Sequence, residues 1–174
     1  MENLRYPIGT LQFAADAAEE QRRQWIRDIA ETPARLREAV EGLGEGQLNT
    51  PYRPGGWTVR QVVHHLADSH MNSYVRLRLA LTEDEPLVKP YREDLWAELS
   101  DARTAEIGVS LTLLEALHRR WTMLLAALAP ADWERTLRHP EVGSMTIEKQ
   151  VALYAWHGRH HVAQITALRN RSGW

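Results

Sequence analysis

Six of the eight histidines in this 174-residue chain fall in two short windows: His64, His65 and His70 in HHLADSH, and His157, His160 and His161 in HGRHH. Neutral imidazole offers a nitrogen lone pair to a cation, so such clustering points to metal binding. The chain has no cysteine, which excludes disulfides, thiolate ligands and a cysteine nucleophile. A bound metal must therefore be held by His, Asp or Glu. His157 and His161 are four residues apart, a spacing that stacks two helical side chains on one face within reach of one ion. His160 lies on the adjacent flank, about one hundred degrees from His161. Three neutral imidazoles leave at least one coordination position open, the arrangement of a catalytic zinc; nickel, cobalt or iron would accept the same donors. The HExxH pattern of metalloproteases is absent, because Gly158 follows His157.

The elements that must position these residues read as helices. A core stripe runs through Ile147, Val151, Tyr154, His157, His161, Ile165 and Leu168, placing two histidines where leucines would be expected. A third ligand must come from another helix. The segment opened by Thr58 carries a polar stripe of Gln61, His65, Asp68, Ser69, Asn72 and Arg76 beside an apolar one of Val59, Val63, Leu66 and Leu77. His65 is the candidate there, and Asp68, three residues on, is expected to accept a hydrogen bond from an imidazole and orient it. His64, His70 and His160 read as flank residues or as partners behind the ligands. Arg60, Arg76 and Arg159, close to these motifs, are candidates for holding the carboxylates of a thiol or substrate. Trp57 and Trp156 adjoin the motifs as possible walls of a pocket. Because ligating imidazoles must be neutral, the sequence predicts metal loss as pH falls below about 6.5.

Four long amphipathic helices are predicted, over about Asp16 to Leu43, Thr58 to Leu81, Ser110 to Leu128 and Ile147 to Asn170, with a short helical stretch at Leu95 to Leu99. Pro33 falls in the first, either as the start of a new helix after Thr32 or as a kink in a continuous one. Thr58 and Gln61 fit a capping box. Gly158 inside the last helix implies close helix packing or ligand access. The linkers GEGQLNTPYRPGG, EDEPLVKPYRED and HPEVGSMT are dense in Gly, Pro and polar residues, and no convincing strand alternation appears. The expectation is an all-α fold: one domain over residues 1–174, a four-helix bundle with long crossover connections.

Composition narrows the partners. With 44% hydrophobic and 25% charged residues the chain is one globular domain, and 21 basic against 23 acidic residues give a net charge of −2. No single-signed field exists to hold nucleic acid or an anionic membrane. The opening residues lack the basic flank and apolar run of a secretory signal, and no stretch approaches the length of a membrane span, so a cytoplasmic location is expected.

The stretches PYRPGGWTVRQVVHHLADSHMNSYVR (residues 51–76) and YAWHGRHHVAQI (residues 154–165), with the opening LRYPIG and closing GW, resemble the YfiT group of the DinB superfamily. The resemblance covers nearly the whole chain. It implies a four-helix bundle, a cytoplasmic homodimer, and one divalent metal per subunit held by the histidine of the HLAD motif and the first and last histidines of HxxHH. In this sequence these are His65, His157 and His161. It implies an enzyme acting on a small molecule: a metal-dependent hydrolase or, as in related members of the superfamily, a transferase using bacillithiol, mycothiol or a similar low-molecular-weight thiol. The leading expectation is metal activation of such a thiol for transfer to an electrophile, which needs neither a protein cysteine nor an HExxH glutamate. Hydrolysis by metal-bound water, with Asp68 or a neighbouring histidine moving the proton, is the alternative. A non-enzymatic metal-binding bundle is the third reading.

Overall fold

The computed structural model describes residues 3–174. Seven α-helices are α1 (Glu19–Val40), α2 (Glu45–Leu48), α3 (Val59–Thr82), α4 (Glu93–Trp96), α5 (Ser100–Thr104), α6 (Ile107–Ala126) and α7 (Ile147–Ser172). The long helices α1, α3, α6 and α7 form a four-helix bundle in which α1 and α3 each pack against both α6 and α7. α1 and α3, successive long helices along the chain, therefore lie across the bundle from each other. Long connections follow from that arrangement.

Local chemistry explains the boundaries. Thr58 Oγ1 accepts from the Gln61 amide at 3.2 Å, and Gln61 Oε1 accepts from the Thr58 amide at 3.0 Å, closing the expected capping box. Thr146 Oγ1 caps α7 by accepting from the Lys149 amide at 3.1 Å. Gly173, at φ 69°, supplies a left-handed cap that lets α7 run past Asn170 to Ser172. α1 is continuous through Pro33, which settles the two sequence alternatives in favour of one helix. Lacking an N–H, Pro33 cannot bond back to the Ile29 carbonyl, which is left for another donor.

One element departs from the sequence reading. The segment expected to be turn-rich contains a hairpin, β1 (Thr136–His139) paired antiparallel with β2 (Gly143–Thr146). Leu137 opposite Met145 is its buried pair. Each strand has only four residues, too few for alternation to register. The stretch expected as one helix at Leu95 to Leu99 is instead the pair α4 and α5, broken between Ala97 and Leu99. No described helix is long and apolar enough to cross a membrane.

The apolar core is split in two. One cluster contains Ile29, Tyr74, Leu77, Trp121, Leu125, Ile147, Tyr154 and Ala155, and the other Leu36, Val40, Val59, Val62, Leu66, Leu114 and Ile165. On each long helix the chain passes from one cluster to the other through a polar layer: Thr32 on α1, Ser69 and His70 on α3, His118 on α6, and His157 to His161 on α7. The gap at the bundle's middle is where the histidines converge. α1 and α7 meet closely beside it, since a Cβ on Gly158 would fall 2.4 Å from Thr32 Oγ1.

Candidate metal centre

α3 and α7 bring His65, His157 and His161 together. His157 Nε2 lies 3.3 Å from His65 Nε2 and 3.2 Å from His161 Nε2. Among the described residues these three are the group whose donor atoms could share one ion. A tetrahedral zinc with Zn–N bonds of about 2.0–2.1 Å separates two ligand nitrogens by about 3.3–3.4 Å. The two spacings from His157 match that separation, and all three donor atoms lie within 4.8 Å of one another, a set that could share one such cation.

The outer nitrogens decide whether the inner ones carry lone pairs. His161 Nδ1 lies 2.8 Å from Gln164 Oε1, an oxygen that can only accept. The proton of His161 is therefore assigned to Nδ1, which leaves Nε2 free for a cation. Gln164 is itself held, its amide nitrogen donating to the Arg5 carbonyl at 2.9 Å and lying 2.9 Å from His160 Nε2. On His157 the outer nitrogen faces His70 Nε2 at 3.1 Å. Trp57 packs on the His65 ring with centroids 4.6 Å apart.

Burial keeps the rings neutral. Desolvation, with the neighbouring histidines adding to it, holds His157 and His161 well below the usual imidazole range, and desolvation followed by His160 brings His65 to about 4. The sequence expectation of metal loss near pH 6.5 is corrected on this ground, because protons begin to compete only at lower pH. Metal occupancy, measured by elemental analysis after equilibration across pH, should stay level from 7.5 to about 5.5 and fall toward 4. A midpoint at 6.5 would contradict the burial argument. Stability of the metal-free protein follows the same sign. These depressed imidazoles stay neutral in the folded chain while the unfolded chain takes up protons below about 6.5, so stability is lost as pH falls from 6.5 toward 4.

A pocket of about 410 Å³ opens onto the three imidazoles, with Arg5, Arg53, Trp57, Trp156 and Glu93 in its wall. Both tryptophans expected as walls are there. A neighbouring pocket of about 390 Å³ reaches the other side of His157 past Ser69, Arg76, Tyr91 and Tyr154, and Glu93 borders it as well. Partial desolvation, then the charges of Asp94 and Glu141, raise the Glu93 carboxyl above its ordinary value, although the residue as a whole is exposed. Glu93, Arg5, Arg53 and Gln164 were not singled out from sequence.

Other sequence candidates lie elsewhere. Arg60 is buried and donates to Asn49 Oδ1, the Ala105 carbonyl and Glu45 Oε2 at 3.2, 2.7 and 2.6 Å, tying α2 and the end of α5 to α3. It has no reach to the pocket. Arg159 pairs with Asp28 at 3.4 Å and with the Ala155 carbonyl, also away from it. Arg76 donates to the Lys89 carbonyl and borders only the neighbouring pocket. Asp68 does not orient an imidazole: among the described residues its carboxyl makes no hydrogen bond to one, and burial plus the charge of Asp101 push it up to about 6. The outer nitrogens are faced instead by Gln164 Oε1 at His161 and by His70 Nε2 at His157. His64 bonds to Ser110 Oγ and the Ala105 carbonyl and faces away from the cage.

The comparisons agree with this architecture. The family model of the DinB superfamily matches residues 28–165. Proteins named "putative metal-dependent hydrolase" from Bacillus mycoides strain KBAB4 and Bacillus cereus strain 03BB102 are each 52% identical to this chain over 174 residues, covering all of both chains. A solved structure of YfiT from Bacillus subtilis, described as "a probable metal-dependent hydrolase with an unusual four-helix bundle topology", superposes with a TM-score of 0.97 at 51% identity, covering 99% of each chain.

Proposed function

Since the chain belongs to the DinB superfamily, we propose that His65, His157 and His161 hold one divalent cation and that the protein is a metal-dependent hydrolase of a small molecule carrying an anionic group. The observation that supports this most is the group of three imidazoles, with His157 Nε2 3.3 Å from His65 Nε2 and 3.2 Å from His161 Nε2, facing a pocket of about 410 Å³. Zinc is the first candidate, and nickel or another divalent ion suits the same nitrogens. Bound there, the ion supplies Lewis acidity to an oxygen or sulfur ligand. The chain's own groups do the rest. Arg5 and Arg53 bind the anionic end of the substrate, Trp57 and Trp156 exclude water around it, and the Glu93 carboxyl takes up and returns a proton. Partial desolvation raises that carboxyl above its ordinary value, the direction that favours its holding a proton for exchange.

The second reading is transfer of a low-molecular-weight thiol. The two guanidinium groups in the pocket wall support it, because such thiols carry carboxylates that need partners. One assay separates the two readings. Metal-loaded protein is incubated with an activated ester or other electrophile, with and without added thiols, and products are identified by mass spectrometry. Hydrolysis predicts a water adduct formed without thiol, reduced about 100-fold or more in Glu93→Gln. A product that contains sulfur and forms only with thiol would replace hydrolysis by transfer.

A further inference from the structure

We infer that His70 and His118 are positioning residues that fix the proton of His157 on its outer nitrogen, through a chain of imidazoles anchored on a carbonyl freed by Pro33. The inference takes from the proposed function only that the His157 Nε2 atom serves a cation. The chain crosses all four helices of the bundle. His118 Nδ1, on α6, lies 2.6 Å from the Ile29 carbonyl of α1. His118 Nε2 lies 2.8 Å from His70 Nδ1 on α3, and His70 Nε2 lies 3.1 Å from His157 Nδ1 on α7.

The direction of every bond follows from its end. A carbonyl oxygen can only accept, so His118 Nδ1 carries a proton. With His118 neutral, its Nε2 is then an acceptor, and His70 must donate to it from Nδ1. The neutral His70 ring accepts at Nε2, and His157 must donate from Nδ1. His157 Nε2 is left with a lone pair, pointing at His65 and His161. The reverse arrangement would set the His118 Nδ1 lone pair against the carbonyl lone pairs at 2.6 Å, in a site that offers no proton between them.

Pro33 is the origin of the chain. In an uninterrupted helix the amide of residue 33 would take the Ile29 carbonyl; proline removes that donor and leaves a buried acceptor to be satisfied. The relay is also enclosed. His70 and His118 are 0% and 1% exposed, their rings lie within 14° of parallel with centroids 4.8 Å apart, and Trp121 packs edge-on against both. A tautomer held in this way spares a cation the cost of shifting a proton on arrival and keeps the His157 ring aimed at the cage.

Nitrogen-15 NMR of the metal-free protein tests the proposal without any loaded enzyme. Long-range proton–nitrogen correlations should show His157 and His70 with protonated Nδ1 and lone-pair Nε2. His118→Met removes the acceptor and should scramble these tautomers, with zinc affinity, read by chelator competition, falling about 10- to 100-fold. His118→Gln keeps an amide oxygen to accept from His70 and should stay within a few-fold of the parent. His157 protonated on Nε2 in the unaltered protein overturns the relay, as does a His118→Met variant with unchanged nitrogen shifts and zinc affinity. If the protein shows the expected tautomers yet binds no divalent ion, the relay stands and the proposed function falls; if zinc binds but the metal-free His157 carries its proton on Nε2, only the relay falls.

Discussion

His161→Ala is expected to lower affinity for a divalent cation by more than about 100-fold while leaving a helical protein. The ring it removes sits 3.2 Å from His157 Nε2 and supplies one of three nitrogens. Two remaining imidazoles, one on each of two helices, would hold a cation no better than a chance surface pair, whereas loss of a mere orienting partner costs only 10- to 100-fold. The helix should survive because α7 is secured on either side by Tyr154, Ile165 and Leu168, all buried, and by its caps at Thr146 and Gly173. Circular dichroism checks the helix and elemental analysis the metal. A full equivalent retained by His161→Ala would remove that histidine from the cage.

Gly158→Ala should destabilise the protein by about 2 kcal/mol, although alanine is favoured over glycine inside a helix by about 1 kcal/mol. Packing outweighs propensity here. The added methyl would lie 2.4 Å from Thr32 Oγ1 and 2.8 Å from Thr32 Cγ2. Thr32 is 1% exposed and its hydroxyl donates to the Asp28 carbonyl at 2.8 Å, so it can yield only by giving up that bond or by pushing α1 from α7. A fall in Tm of roughly 5 °C is expected at this chain length. Thr32→Ala in the same chain removes both clashing atoms, so the double variant should recover most of the loss, giving a coupling well beyond additivity. Gly158→Ala with unaltered Tm would mean that the two helices are not held as closely as described. Since Gly158 adjoins His157, the same contact sets how deeply that ligand enters the bundle.

What could be read from the sequence depended on whether the cause of a feature was local. His157 and His161 declare themselves by spacing along one helix, and His65 by sitting on a polar stripe within a helix whose capping box is written in Thr58 and Gln61. The resemblance to the DinB superfamily picks out the same three positions. His118 does not declare itself, because a lone histidine in the apolar run of Leu114, Leu117 and Trp121 has no periodic partner. Its acceptor is a backbone carbonyl on α1 that only the bundle brings near. Arg60 stands inside a motif and suggested a ligand contact, yet its acceptors come from α2 and from the residue before Glu106, segments placed by tertiary packing. Asp68 is close to His65 along the chain but faces the charge of Asp101, whereas Gln164, three residues beyond His161, makes the contact that Asp68 was expected to make. Glu93 lies in a proline-rich connection with no pattern of its own. The hairpin of Thr136–His139 and Gly143–Thr146 is too short for its alternation to stand out, and pairing with the connection near Leu87 completes it.

The account rests on three imidazoles sharing one ion with a position left open, and X-ray absorption at the metal edge of protein reconstituted with a single equivalent of zinc tests that most directly. Three histidine nitrogens at about 2.0–2.1 Å plus one exchangeable light ligand is the predicted shell. A shell closed by a fourth protein group, or one with fewer than three imidazoles, would contradict it.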